Sequence, residues 1–135
     1  MKSRKQANTA CPCGGADLSA CCGRYLAPDG PPAPTAQALM RSRFSAYALG
    51  REDYLLATWH PSTRPQSLDL AEEAGVVKWI GLEVKRCEAG LHGDEAGTVE
   101  FVARYKVGGK AERLHEASRF VREDGRWYYL VGEVS

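Results

Sequence analysis

The chain has 135 residues, 44% of them hydrophobic, and a formal net charge of +1, which fits one globular domain with a small appendage. So small a net charge excludes whole-molecule attraction to nucleic acid or to an anionic membrane; either would need a local patch. No apolar run approaches a membrane span, and the charged start (Lys2, Arg4, Lys5) leads into no signal-peptide core. The expected address is the cytoplasm.

Residues 1–10 are polar and are expected to form a flexible arm. Residues 11–26 open with CPCGGADLSACC, which holds four of the five cysteines. Cys11, Cys13, Cys21 and Cys22 can meet only if GGADLSA folds back, and a tetrahedral metal gives four thiolates a reason to meet. One structural Zn2+ is the expected cofactor: zinc accepts all-thiolate coordination, and its binding free energy doubles as folding free energy. The local apolar residues Leu18, Tyr25 and Leu26 are too few to order the turn alone. Free thiols or a vicinal Cys21–Cys22 disulfide are the competing readings, and the disulfide is disfavoured in a reducing compartment. Backbone amides of Gly14, Gly15 and Gly23, with Arg24, are expected to balance the thiolate charge.

Residues 27–34 form a Pro-rich linker (Pro28, Pro31, Pro32, Pro34) that neither helix nor central strand can cross. Few contacts should bridge it. In 35–135, Thr35 is placed to cap a helix that Gly50 ends, with Ala36, Met40, Phe44 and Tyr47 as its apolar stripe. A second helix opens near Asp53, carries Tyr54, Leu55 and Trp59, and stops at His60-Pro61. Ser67 is the expected cap of a third, short helix running to Gly75. From residue 76 the period becomes alternating: VVKWIGLEVKRC puts Ile80, Leu82 and Val84 on one face, and TVEFVARYKV puts Val99, Phe101, Ala103 and Tyr105 on one face. A Gly108-Gly109 turn and an Asp124-Gly125 turn frame two further strands and make the neighbours antiparallel. Helices followed by a meander give an α+β fold, helices packed on one face of a curved antiparallel sheet.

The cysteine stretch resembles the SEC-C motif, named for the zinc-binding tail of the SecA ATPase and usually written CPCGSGKKYKxCC. CPCG and CC are kept; the spacer is one residue shorter, and GKKYK is replaced by Gly15, Ala16, Asp17, Leu18 and Ser19. In SecA the tail engages the chaperone SecB and the ribosome, which makes a protein partner at the knuckle the implied role. The stretches LMRSRFSAY, DYLLATWHPSTRP, WIGLEV, FVARYKVGGK and ERLHEASRF, with GRWYYLVGE, resemble the YchJ group of small bacterial proteins. That resemblance implies a cone-shaped fold like nuclear transport factor 2, or cystatin-like, whose sheet wraps around helices and often leaves a pocket.

Such a fold hosts enzymes and binding modules alike, so function must come from the site. Arg43, Tyr54, Trp59, His60 and Glu116 are the pocket candidates. If the Glu116 face of its strand is concave, a carboxylate and the Ser118 hydroxyl enter the cone beside Arg43. Glu116 or His60 would then serve as acid or base, with Tyr54 or Arg43 as orienting donor. Pairing of Glu116 with Arg43 or Arg41 as a structural ion pair is the favoured alternative. Cys87 is expected to be an inert strand cysteine. The favoured function is a cytosolic zinc-binding adaptor with a protein partner at the knuckle and a small ligand in the cone. A small-molecule enzyme of the isomerase or dehydratase type is the alternative, and nucleic-acid binding through the knuckle and the basic arm ranks below both.

Overall fold

The computed structural model describes residues 10–15, 17–27, 29–73 and 75–134. The expected arm, except Ala10, lies outside them, as do Ala16 of the knuckle and Pro28 of the linker. Among the described residues four α-helices precede a four-stranded sheet: α1 (Gly23–Leu26), α2 (Ala36–Leu49), α3 (Glu52–Ala57) and α4 (Leu70–Glu73), then β1 (Val77–Ala89), β2 (Ala96–Val107), β3 (Lys110–Glu123) and β4 (Arg126–Val134). The strands pair antiparallel in chain order. No helix among the described residues is long and apolar enough to cross a membrane.

Helix α2 is the axle of the molecule. The Thr35 side chain accepts the Ala38 N–H at 3.1 Å, and Gly50 ends the helix at φ 74°, a left-handed conformation that costs a glycine little. Leu39, Met40, Phe44 and Ala46 are buried, and so are Ser42, Arg43 and Ser45, because α2 is covered on more than one side. Its sheet-facing side meets Val99, Phe101 and Ala103 of β2 and Phe120 of β3 in one core. Both strand turns use positive φ at two successive residues, Gly108-Gly109 (56° and 85°) and Asp124-Gly125 (54° and 78°), which matches the twist of tight hairpins.

Three expectations are corrected. The amides of Leu68 and Leu70, before and at the start of α4, are taken by the Glu52 carboxylate at 3.1 and 3.0 Å; the Ser67 hydroxyl lies 2.9 Å from an Asp69 carboxylate oxygen and accepts the Asp69 N–H at 3.2 Å, so it takes no amide of the helix itself. Ile80 does not join Leu82 and Val84 inside. The register slips between Trp79 and Gly81, so Ile80 is 50% exposed and Trp79 packs inward on Phe44. Such a bulge swaps the faces of the residues on either side of it. The linker also carries contacts across: Ala33 is buried, and the Pro34 carbonyl accepts from Trp127 Nε1 at 3.2 Å. Cys11, Cys13, Cys22 and Leu26 therefore lie in the same core cluster as Leu39 and Phe44.

Candidate metal centre and cone cavity

The cysteine turn is built from the backbone outward. Cys11 N–H donates to the Gly15 carbonyl at 3.1 Å and Gly14 N–H to the Cys11 carbonyl at 3.0 Å, with Gly14 at φ 105°. The chain then passes a 3-10 turn (Leu18–Ala20) into α1. Gly15 is required by space, since a Cβ there would lie 2.7 Å from Cys21 Sγ. The result brings the four Sγ atoms of Cys11, Cys13, Cys21 and Cys22 within 4.8 Å of one another. Cys13 Sγ lies 3.5 Å from both Cys11 Sγ and Cys21 Sγ. A tetrahedral zinc with sulfur at about 2.3 Å needs sulfurs about 3.8 Å apart, so both the donor set and its spacing fit such an ion.

The electrostatics point the same way. A bond from the Cys22 thiol, aided by the Gly15 backbone, pulls Cys13 down to about 4 against the effect of burial. That same bond, and then burial, push Cys22 up; burial first, then Cys13, raises Cys21 to about 11. Ionising Cys13 thus opposes ionising Cys21 and Cys22, an opposition that a bound cation would relieve. Of the expected outer groups, Gly15 serves Cys13, while Gly14 N–H is spent on a carbonyl and Arg24 reaches the Cys21 carbonyl at 3.0 Å. Two outer groups come from α2: Ser45 Oγ sits 3.4 Å from Cys11 Sγ, and Arg41 donates to the Cys13 carbonyl at 3.3 Å. Their four-residue spacing marks one helix face, a signal readable in the sequence once the knuckle is known to lie against that face.

The second site is a cavity of about 250 Å³ between α2 and the sheet. The Glu116 face of β3 is the concave one: Leu114, Glu116 and Ser118 line the cavity with Arg43 and Tyr129. Arg43, 3% exposed, donates through Nη1 to the Leu55 carbonyl (2.8 Å) and Thr58 Oγ1 (2.7 Å), and lies over the rings of Trp59 and Tyr129 at 5.0 and 4.6 Å. Burial lowers its pKa to about 10, which leaves it charged at neutral pH. Glu116 Oε2 accepts from Ser118 at 2.6 Å and from Tyr129 at 3.5 Å. Burial, and then the charge of Glu116, push Tyr129 up to about 12, so it stays a donor.

Of the five pocket candidates, only Arg43 and Glu116 line this cavity. Tyr54 points to the other side of α2, its hydroxyl 2.7 Å from Ser42 Oγ. Trp59 stands edge-on to Tyr129 at 4.9 Å, and its Nε1 is buried without a partner among the described residues. His60 lies against β4, between Glu123 (2.9 Å from Nε2) and Ser62 (2.7 Å from Nδ1). The expected ion pair of Glu116 with Arg43 or Arg41 does not form: Arg41 is held by Cys13 and Gln37, and Arg43 by neutral oxygens. Cys87 is exposed and accepts from Gln37 Nε2 at 3.0 Å. His115 pairs with Glu100 at 2.6 Å.

A helix-backed curved sheet with a cavity, preceded by a four-cysteine turn, defines a nuclear transport factor 2-like domain carrying a SEC-C-type knuckle. The family model described as "YchJ, middle NTF2-like domain" matches residues 35–132. The chain is 78% identical over 135 residues, all of both chains, to a UPF0225 protein of Chromobacterium violaceum. It belongs to the YchJ-type UPF0225 family. Among solved structures it resembles a SEC-C motif containing protein from Rhodopseudomonas palustris (34% identity, TM-score 0.81, 94% of this chain and 99% of that one). A SEC-C motif containing protein from Psychrobacter arcticus is similar at 27% identity and TM-score 0.79, over 97% and 85% of the two chains.

Proposed function

We propose that this protein is a cytoplasmic zinc-binding module in which Cys11, Cys13, Cys21 and Cys22 hold one structural Zn2+. The knuckle offers a surface to a protein partner and the cone holds a small ligand. The observation that carries the reading is four Sγ atoms within 4.8 Å of one another, three of the cysteines being buried. Zinc suits it because four thiolates saturate a tetrahedral ion and leave no position for a reactive water, which makes the site structural. Both structural neighbours are SEC-C motif containing proteins, which supports the same reading. A second reading, acid/base turnover at Glu116, is favoured by one observation: Glu116 and Arg43 face a common cavity. Binding is preferred over turnover because His60 and Tyr54, the other expected acid/base or orienting groups, do not reach that cavity.

Elemental analysis of reduced protein, purified without added metal, tests the metal reading. About one zinc per chain is expected. Chelation should loosen residues 11–26 and, because their cysteines share the core of α2, lower the melting temperature of the whole chain. Reduced protein that contains no zinc, yet keeps residues 11–26 ordered, would overturn it.

A further inference from the structure

The cone cavity faces two opposite charges that are not paired with each other. Among the described residues, every hydrogen bond of Arg43 leaves from Nη1, which leaves Nε and Nη2 without a partner. These two nitrogens are not sealed in protein, since the buried polar atoms lacking partners are Asp17 Oδ1 and Trp59 Nε1. Arg43 itself is 3% exposed and lines the cavity. On the opposite wall, among the described residues, Glu116 spends only Oε2, on Ser118 and Tyr129. Room for that carboxylate is built in: a Cβ on Gly132 would collide with Glu116 Oε2 and would lie 2.9 Å from the Tyr129 hydroxyl. Between these groups the wall is apolar and aromatic, with Phe44 and Trp79 edge to face at 5.8 Å.

We propose that the cavity binds a small zwitterion with an apolar body, of the free α-amino acid type, its carboxylate on Arg43, its ammonium group on Glu116 and its body against Phe44 and Trp79. The proposal rests on the reading of the cone as a ligand site and is independent of the metal. A lone anion would meet the Glu116 charge, and a lone cation would meet Arg43, both at short range and away from bulk water where repulsion is weakly screened. A molecule with both charges satisfies both groups. An uncharged ligand would leave a buried guanidinium and a carboxylate without the charge-assisted bonds each can make. The volume of about 250 Å³ lies just under the roughly 300 Å³ at which pockets for drug-sized ligands begin, which suits a single amino acid.

Calorimetric titration of the zinc-loaded protein tests this with L-leucine, L-phenylalanine and L-tryptophan, each beside its deaminated acid and its decarboxylated amine. At least one amino acid should bind about tenfold or more tighter than both of its single-charge counterparts, a difference of about 1.4 kcal/mol. Glu116→Gln should weaken that amino acid by a similar factor while strengthening the corresponding acid, a reversal that a general folding defect cannot produce. A single-charge counterpart that binds as tightly as its amino acid would overturn the zwitterion and keep the cone as a ligand site. No heat from any of these probes at about 10 mM, far above useful affinity, would overturn both, and the zinc content would still stand or fall separately.

Discussion

Two fully buried serines on α2, Ser42 and Ser45, both 0% exposed, separate the work of the helix into two measurable parts. Ser45 Oγ lies 3.4 Å from Cys11 Sγ, whereas Ser42 Oγ donates to the Leu39 carbonyl at 2.8 Å and sits 2.7 Å from the Tyr54 hydroxyl. A hydrogen bond to a charged acceptor contributes about 1.5–3 kcal/mol, and the length of the Ser45 contact argues for the lower end. At about 1.4 kcal/mol per decade, Ser45→Ala should weaken zinc by roughly tenfold or somewhat more, within the range known for groups that orient metal ligands. Ser42→Ala should instead leave zinc affinity unchanged and cost about 1–2 kcal/mol of stability, because it strands the half-buried Tyr54 hydroxyl. Competition against a chromogenic chelator reads the first quantity, and thermal melting of the zinc-loaded protein reads the second. If both serines weakened the metal equally, or neither did, the outer-group role assigned to Ser45 would be wrong.

Gly15→Ala should abolish stoichiometric zinc in purified protein while the sheet persists by circular dichroism, because its Cβ would lie 2.7 Å from Cys21 Sγ; normal loading would contradict the crowding argument. Arg43→Met should lower the urea midpoint by the equivalent of about 2–4 kcal/mol, since two charge-assisted bonds and two ring contacts go. Glu116→Gln should cost under about 1 kcal/mol, as no ion pair breaks and the amide oxygen can still accept; the reverse order would mean that a hidden pair exists. Zinc affinity should fall by at least about a hundredfold for each pH unit lost, because Cys21 and Cys22, both raised, must shed protons to bind. Titrations in buffers of different ionisation enthalpy count those protons, and a count of zero would exclude thiolate ligation. Thr35→Ala, removing the cap of α2, should cost about 1 kcal/mol, read as a melting-point drop of roughly 4 °C.

Local chemistry was legible in the sequence wherever one residue type answers one geometric demand. Thr35 and Gly50 bound α2, the Gly108-Gly109 and Asp124-Gly125 pairs close hairpins, and the four cysteines converge. Alternation correctly placed Val99, Phe101 and Ala103 inside; on β3 polar residues sit on both faces, so only the structure shows that the Glu116 face is the concave one. Alternation failed at Ile80, since a bulge adds one residue to a strand without altering any residue type. The place of Trp79 on the cavity wall was hidden for the same reason. Tyr54 and Trp59 were expected at the cavity as polar-tipped residues within apolar stretches, but α3 crosses behind α2 and turns Tyr54 toward Ser42. The docking of the knuckle on α2 was missed because prolines suggest a spacer, whereas here they lay Ala33 and Pro34 against Trp127.

The two outer edges of the sheet are guarded by different means. Beside β4 the segment Thr58–His60 runs parallel, giving His60 N–H to the Tyr129 carbonyl and taking Tyr129 N–H on the Thr58 carbonyl, each at 2.8 Å. That edge is therefore capped by the chain itself. Among the described residues strand β1 has no neighbouring strand on its outer side, and at 13 residues it is long enough to recruit a foreign strand and seed aggregation. Two register breaks, at Trp79/Gly81 and Val84/Arg86, bend it, and Lys78, Glu83, Lys85, Arg86 and Glu88 charge it. Both devices frustrate edge-to-edge growth. The bulge that turns Trp79 into the cone thus also shields the molecule from its own copies.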